Sequence, residues 1–188
     1  MKKRSIKPFR PVYPSPAALV TSVGEDGRAN IITLGEVFNV SISKPVILGI
    51  AIAKPRYSHE LISATREYVV NLPTAAMVET VDRCGNCSGR KVDKFAAFGL
   101  TAVPADKVRP PLIAECPVNI ECRVIGIQKI GDHDLFLGEA LAEHVAEEAL
   151  DEDGNVMVDR LDPLCYMHSE FWSCAKKLGR HGFTCQHS

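Results

Sequence analysis

The sequence lacks the features of a membrane protein or a nucleic-acid-binding protein. None of its apolar runs approaches the roughly 18 residues of a transmembrane helix. Its 22 basic and 23 acidic residues leave a net charge of −1, which gives no basic surface for a nucleic acid. The basic stretch from Lys2 to Arg10 is not followed by the apolar segment of a signal peptide, because prolines and then acidic residues interrupt it. We therefore expect a cytoplasmic protein that binds neither membrane nor nucleic acid.

Strong catalytic motifs are also missing. The chain contains no Gly-x-Gly-x-x-Gly after a strand, no phosphate-binding Gly-Lys-Ser/Thr loop and no His-Glu-x-x-His. Cysteine is not scarce, but seven is an odd number, which does not suit a secreted disulfide scaffold. With 188 residues, 46% of them hydrophobic, the chain has the size of one domain with a true core. We expect a single domain over 1–188 with mostly reduced thiols, an N-terminal arm at 1–15 and a C-terminal tail at 163–188.

What is present is a series of short strand patterns, several of them joined by tight turns. Two hairpins are indicated by turn residues between neighbouring strands. The absence of a helix between most strands argues against a doubly wound parallel sheet and favours an antiparallel barrel or sandwich. The predicted strands are 17–23, 29–34, 36–42, 46–52, 67–72, 117–127 and 134–145. The predicted helices are 57–65, 75–83 with Thr74 as its cap, and 92–98 closed by Gly99.

Five segments in a fixed order carry a resemblance to a known family. They are Asn30-Ile-Ile-Thr-Leu-Gly35, Lys54-Pro-Arg-Tyr-Ser58, Cys84-Gly-Asn-Cys-Ser-Gly-Arg-Lys-Val-Asp-Lys-Phe95, Pro111-Leu-Ile-Ala-Glu-Cys-Pro-Val-Asn-Ile-Glu-Cys122 and Gly131-Asp-His-Asp-Leu-Phe-Leu-Gly-Glu139. Together they resemble the flavin reductase-like, FMN-binding split-barrel family, especially its flavoredoxin-type branch, over about residues 16–162. The resemblance implies a mainly β fold with short helices, built on a six-stranded antiparallel Greek-key barrel. It also implies FMN held non-covalently at a homodimer interface.

The same segments supply the predicted cofactor contacts. The first offers strand-edge backbone amides and a glycine that permits close approach of the flavin ring. The second and third offer basic and hydroxyl groups near helix N-termini, which suit a phosphate. The predicted FMN contacts are Asn30, Ile32, Thr33, Leu34, Gly35, Lys54, Arg56, Tyr57, Ser58, Ser88, Arg90, Lys94 and Phe95. No catalytic residue and no metal ligand is assigned.

Simpler roles remain open for several of these residues. Ser58 is equally suited to capping a helix, and Phe95 to anchoring the core together with Phe98. Cys84 and Cys87 form a Cys-x-x-Cys pair that fits incidental thiols, a redox pair beside the flavin, or part of a metal site. The tail residues with metal-ligand chemistry are His168, Cys174, His181, Cys185 and His187, and a loose tail explains them equally well. The aromatic residues near them, Tyr166, Phe171 and Trp172, are candidates for covering the flavin or a dimer interface, or for plain packing.

These observations favour an oxidoreductase that moves electrons or hydride from a reduced nicotinamide nucleotide or a protein donor to flavin, iron or a partner protein. One alternative is an FMN-binding electron carrier without nicotinamide-dependent turnover of its own. The other is a thiol- or metal-binding protein. The sequence does not identify the donor, the acceptor or the pathway.

Overall fold

The fold is organised around one antiparallel sheet that curves into a split barrel. A computed structural model of the chain describes residues 1–174, 176–179 and 181. Seven strands form the main sheet in the order β3-β2-β6-β9-β10-β5-β4, with every neighbouring pair antiparallel. Their bounds are β2 Ala18–Val23, β3 Ala29–Leu34, β4 Val37–Ser41, β5 Ile47–Ala53, β6 Glu67–Leu72, β9 Val118–Ile130 and β10 His133–Val145. The predicted mainly β split-barrel class is confirmed.

Short elements surround the barrel. Two small sheets are formed by β1, β11 and β12, and by β7 and β8. Their strands are β1 Ser15–Pro16, β7 Ala102–Val103, β8 Leu112–Ile113, β11 Leu164–Met167 and β12 Glu170–Ser173. The helices are α1 Tyr57–Thr65, α2 Val78–Asn86 and α3 Lys94–Phe98, with 3-10 turns at Ala75–Met77, Glu147–Ala149 and Val158–Arg160. No helix in the described part of the chain is both long and apolar enough to cross a membrane.

Strand β2 is buried on both faces, and it separates two hydrophobic cores. Ala18 and Val20 point into the barrel, where Val20 pairs with Ile32 of β3. Leu19 points the other way, into a second core that β3 shares with α2 and α3. Because side chains alternate along a strand, a run of apolar residues serves both cores at once. Helices α2 and α3 are therefore packed against the outer face of β2 and β3.

The helix predictions are accurate for two of the three helices. α1 has the predicted bounds, and Leu61 and Ile62 are buried as expected. α3 ends at Gly99, whose φ of 65° is the left-handed conformation that glycine adopts without strain. The prediction for 75–83 is wrong in detail, because Thr74 makes no capping hydrogen bond and a 3-10 turn precedes α2.

The predicted C-terminal tail is partly built into the fold. Strands β11 and β12 form a hairpin, and β11 also pairs with β1 through Ser15 and Pro16. The hairpin brings Cys165 and Cys174 together as a disulfide with Cα atoms 6.3 Å apart, within the usual range. The expectation that the tail cysteines are reduced is therefore wrong for this pair. Cys185 and His187 lie outside the described residues.

Candidate functional site

A cleft lies where the end of β3, the start of α1 and the end of α2 meet. It consists of two adjoining cavities, which share Ile32, Arg56, Gly85 and Asn86. The strand-edge cavity, along 32–36 of β3 and the following turn, has a volume of about 360 Å³. The helix-end cavity, between the starts of α1 and α3, has a volume of about 250 Å³. Both lie in or near the size range of small-ligand sites, roughly 300–1,000 Å³.

Two residues at the end of β3 and just beyond it, Thr33 and Gly35, shape the wall of the strand-edge cavity. The hydroxyl of Thr33 donates a 2.6 Å hydrogen bond to the carbonyl of Val81 in α2, which fixes the strand against the helix. Gly35 faces the ring of Tyr166, and a Cβ at this glycine would lie 2.7 Å from a ring carbon. A larger residue at position 35 would therefore displace the ring of Tyr166 or narrow the cavity.

Buried polar groups form the wall of the helix-end cavity. Asn30 is 4% exposed and donates from Nδ2 to the Ser58 hydroxyl oxygen at 2.7 Å. Its Oδ1 is buried and accepts no hydrogen bond from the described residues. This oxygen lies against Gly89, where a Cβ would come within 1.8 Å of it. A buried polar atom without a partner is uncommon in folded proteins and indicates a site that a ligand or solvent completes.

Lys94 brings a positive charge to the same wall. The side chain is 4% exposed, and its Nζ donates 2.6 Å hydrogen bonds to the carbonyls of Ile31 and Cys84. An ammonium carries three N–H donors, so one remains for a group in the cavity. Burial lowers the pKa of Lys94 below its ordinary value of 10.5, while the nearby thiols act in the opposite direction. An anion in the cavity would favour the charged form of this lysine.

Arg56 and the start of α1 add further positive potential. Arg56 is exposed, lines both cavities and occupies the N-cap position of α1 without a side-chain capping bond. Ser58 lies in the first turn and is 2% exposed. The unpaired N–H groups at a helix start attract anions. Together with Lys94, this end of the cleft has the donor set that a phosphate requires.

Most of the predicted contact residues line this cleft, but three do not. Lys54 is turned toward the β9–β10 hairpin, where its ammonium donates to the carbonyl of Gly131 at 3.1 Å and pairs with Asp134. Arg90 forms an exposed ion pair with Glu60 and lies over the ring of Tyr57. Phe95 packs in the second core beside α2, as the core alternative proposed. The predicted residues that line the cleft are Asn30, Ile32, Thr33, Leu34, Gly35, Arg56, Tyr57, Ser58, Ser88 and Lys94.

Several lining residues were not predicted. Tyr166 and Phe171, for which the sequence left several roles open, line the strand-edge cavity from the β11–β12 hairpin and also pack against the second core. Trp172 is half exposed and lies outside the lining. The lining residues that were not predicted include Arg10, Glu36, Gly85, Asn86 and His133. Of these, Gly85 and Asn86 lie inside the third quoted segment and His133 inside the fifth, so the sequence pointed to their neighbourhoods but not to Arg10 or Glu36.

The two cysteines of the Cys-x-x-Cys pair both border the helix-end cavity but differ in burial. Cys84 is buried in the second core, and burial raises the pKa of its thiol to about 11. Cys87, at the end of α2, is half-buried and lines the helix-end cavity. Both thiols are free. Since the thiolate is the reactive form, the raised pKa makes the Cys84 thiol a weak nucleophile near neutral pH.

Comparison with known proteins identifies the family. The flavin reductase-like domain model matches residues 10–174. The solved structure of flavoredoxin from Desulfovibrio vulgaris (Miyazaki F) is 28% identical and superimposes with a TM-score of 0.89, covering 98% of this chain and 99% of that one. Flavoredoxin from Methanosarcina acetivorans is 30% identical, with a TM-score of 0.85 and 97% of both chains covered. The chain therefore belongs to the flavin reductase-like family, as its quoted segments predicted.

A curated relative adds a named activity. The NADH:riboflavin 5′-phosphate oxidoreductase of Streptomyces pristinaespiralis is 29% identical over 124 residues, covering 66% of this chain and 67% of that protein. Riboflavin 5′-phosphate is the chemical name of FMN. The family thus includes proteins named as flavoredoxins and one named for a nicotinamide-dependent reaction with FMN.

Proposed function

We propose that this protein is an FMN-dependent oxidoreductase that binds its cofactor in the cleft beside β3. The observation that carries the proposal is the buried polar wall of the helix-end cavity, where Asn30, Ser58 and Lys94 face a common space beside Arg56. A phosphate fits there because two basic groups, a hydroxyl and a helix start converge. The predicted cofactor, FMN, is confirmed by family membership and by the names of its relatives.

The arrangement assigns each end of the cofactor to one cavity. Arg56, Lys94 and Ser58 would hold the phosphate, and the backbone of β3 near Thr33 and Gly35 would border the flavin ring. FMN, when bound, supplies the redox chemistry, accepting and donating one or two electrons. The protein's part is to hold the ring against the strand, with Tyr166 limiting the space over Gly35. No side-chain acid or base is required for this role.

A donor of electrons is part of the proposal. The relative from Streptomyces is named for NADH, which supports a reduced nicotinamide nucleotide as the donor here. Anaerobic addition of NADH to the FMN-loaded protein is expected to bleach the flavin absorbance. A flavin that dithionite bleaches and NADH does not would assign the protein to the alternative class, an electron carrier reduced by a protein partner.

Homodimer formation also belongs to the proposal. Val40 on β4, Ile42 just beyond it and Val46 before β5 are 50%, 86% and 37% exposed, respectively, at the edge of the main sheet. Adjacent exposed apolar residues on one edge are typical of surfaces that bind another protein. We expect sedimentation of the FMN-loaded protein to give the mass of two chains.

The phosphate assignment is tested by comparing two basic residues that are two positions apart. Arg56 lines the cleft, whereas Lys54 is turned toward the β9–β10 hairpin. Loss of a charge-assisted hydrogen bond costs about 1.5–3 kcal/mol, so Arg56→Ala is expected to weaken FMN affinity about 10- to 100-fold. Lys54→Ala should leave the affinity unchanged. Fluorescence titration with FMN measures both variants.

Riboflavin serves as the second ligand in this experiment, because it has the flavin ring without the phosphate. Arg56→Ala should alter riboflavin affinity much less than FMN affinity. Equal losses for the two ligands would place Arg56 at the ring and overturn the phosphate assignment. A wild-type protein that binds neither ligand would overturn the proposed function itself.

A further inference from the structure

A third cavity, larger than the other two, lies at one end of the barrel beneath the N-terminal arm. This barrel-end chamber has a volume of about 680 Å³. Its floor is the end of the barrel core, including buried Val37, Leu48 and Val70 and partly buried Leu72 and Ile120. A cavity of this volume with an apolar lining is unusual among surface depressions and is typical of a small-molecule binding site.

The arm that forms the roof is anchored by Arg10. Its guanidinium forms an ion pair with Glu36 and lies 5.4 Å from the ring centre of Tyr166. Tyr13 on the same arm packs edge-on against His168 of the β11–β12 hairpin. These contacts hold Pro11 and Val12 over the chamber. The roof is thus connected to the hairpin that also borders the strand-edge cavity.

The chamber and the strand-edge cavity share a wall. Arg10, Gly35, Glu36 and Tyr166 line both of them. A molecule in the chamber would therefore lie beside the part of β3 to which we assign the flavin ring. This position suits a compound that exchanges electrons with the ring, since transfer requires close approach.

The charges of the lining restrict the chemistry of the occupant. The acidic and basic groups among the described lining residues are Arg10, Glu36 and His168. Arg10 and Glu36 neutralise each other, and His168 is packed by Tyr13. An ionic ligand would lose its hydration without gaining an unpaired opposite charge, at a substantial cost in free energy. The rings of Phe38 and Tyr166 in the wall favour a flat, apolar partner.

We infer that the barrel-end chamber binds an uncharged, apolar ring compound of the quinone class, which serves as an electron acceptor. The acceptor role rests on the proposed FMN-dependent function, whereas binding of the compound does not. In the reaction the quinone gains two electrons and two protons and becomes a hydroquinone. The reduced flavin loses the same two electrons and two protons and returns to its oxidised form.

Two isoleucines on β9 provide a matched test. Ile120 and Ile127 are both partly buried against the barrel core, but only Ile120 lines the chamber. Equilibrium dialysis of the full-length protein with 2-methyl-1,4-naphthoquinone should give saturable binding for the wild type and for Ile127→Phe. Because added volume at Ile120 occupies the chamber, Ile120→Phe should bind about tenfold more weakly.

The dialysis is performed on FMN-free and on FMN-loaded protein, so that binding is separated from turnover. If Ile120→Phe does not fold, Phe38→Ala is tested in its place. Phe38 is half exposed, and its replacement removes an aromatic ring from the wall of the chamber, so quinone binding should again weaken. Reoxidation of the anaerobically reduced protein by the quinone should saturate in the wild type and require about tenfold more quinone in Ile120→Phe. Reoxidation by ferricyanide, a charged acceptor, should be equal in the two proteins.

The outcomes distinguish the two proposals. Quinone binding with the expected variant pattern, in a protein that does not bind FMN, would support the chamber and overturn the proposed function. Absence of saturable binding, or equal weakening by both isoleucine variants, would overturn the chamber. If the quinone binds only after a dimer is dissociated, a second copy of the chain occupies the chamber in the dimer. This result would overturn the inference.

Discussion

Two buried polar clusters in this protein differ in whether their hydrogen bonds are complete. In the closed cluster, the carboxylate of Glu121 accepts bonds of 3.0, 2.6 and 3.1 Å from the backbone N–H groups of Asp106, Lys107 and Val108, and a fourth of 2.6 Å from His144. In the open cluster, Asn30, Ser58 and Lys94 leave an oxygen and an N–H donor unused. A complete set stabilises a fold, whereas an incomplete set at a cavity indicates a ligand.

The comparison also shows that side chains able to bind a metal ion can lie close together without forming a metal site. Asp106, Glu121 and His144 lie close enough together to hold a metal ion. Each oxygen of Glu121, however, already accepts two hydrogen bonds, which matches its capacity. The closed cluster therefore fastens the loop at 104–110 to β9 and β10. Its role is structural. The open cluster, which has unused hydrogen-bonding groups, is the candidate ligand-binding site.

Removal of Glu121 should produce the largest effect. Glu121→Ala leaves His144 and three backbone N–H groups, that of Val108 buried, without an acceptor, so we expect it to lower the free energy of unfolding by about 3–5 kcal/mol. Urea unfolding of the FMN-free protein, followed by circular dichroism, measures this loss. FMN affinity of the folded fraction should remain unchanged, because the cluster lies outside the cleft.

Glu115→Ala is the matched control for that experiment. Glu115 is exposed and accepts from one backbone N–H, that of Thr101. Its removal should cost less than about 1 kcal/mol. A loss at Glu121 no greater than the loss at Glu115 would contradict the distinction between a closed cluster and ordinary surface contacts.

Removal of Lys94 should affect the cofactor more than the fold. Lys94→Met keeps the length of the side chain but removes the charge that we assign to the phosphate. We expect FMN affinity to fall about 100-fold, the upper end for a charge-assisted hydrogen bond, while riboflavin affinity falls much less. Fluorescence titration with the two flavins separates the effects.

Gly89→Ala tests the open cluster without a change of charge. A Cβ at this position would collide with the Oδ1 of Asn30, so FMN affinity should also fall. Gly126→Ala is its control, because a Cβ there would meet only Leu137 at 3.8 Å. Unchanged FMN affinity in both Lys94→Met and Gly89→Ala would show that the open cluster is not the phosphate site.

Local patterns were sufficient to predict most of the strands and left a barrel or a sandwich open, whereas the family resemblance supplied the barrel and most of the residues that line the cleft. Hairpin turns, continuous apolar strands and the glycine that ends α3 depend on neighbouring residues, although the N-cap at Asp93 and the start of α3 at Lys94 were not predicted. The segment containing Asn30 and Gly35 was recognised because it is contiguous. Lys54 shows the limit of this reasoning, because residues 54–56 form a turn in which Lys54 and Arg56 contact different groups, and the sequence alone does not give these directions.

What could not be predicted depends on contacts between distant parts of the chain. Arg10 reaches the cleft because β1 pairs with β11, more than 140 positions away, and no local pattern marks that pairing. The bond between Cys165 and Cys174 depends on the β11–β12 register in the same way. The closed cluster is a further example. Glu121 accepts its backbone hydrogen bonds only because the 104–110 loop lies against β9, and no local pattern predicts that contact.

The smallest expected effect concerns the pH dependence of the closed cluster. Burial alone would raise the pKa of Glu121, but the hydrogen bonds from His144 and from the backbone of Asp106 and Lys107 outweigh it and lower the pKa below its ordinary value of 4.5. A carboxylate with a lowered pKa contributes stability above its unfolded value, and this contribution is lost as the pH falls through the folded value. Glu121→Gln keeps the shape of the side chain but removes its charge. The amount by which its urea midpoint falls below that of the wild type should therefore be greatest near neutral pH. Between about pH 6.5 and about pH 3.5 the deficit should shrink, whereas a constant deficit would mean that the charge of Glu121 contributes nothing to the cluster. Other carboxyls with lowered pKa, such as Glu60 and Asp134, are common to both proteins and cancel in the difference.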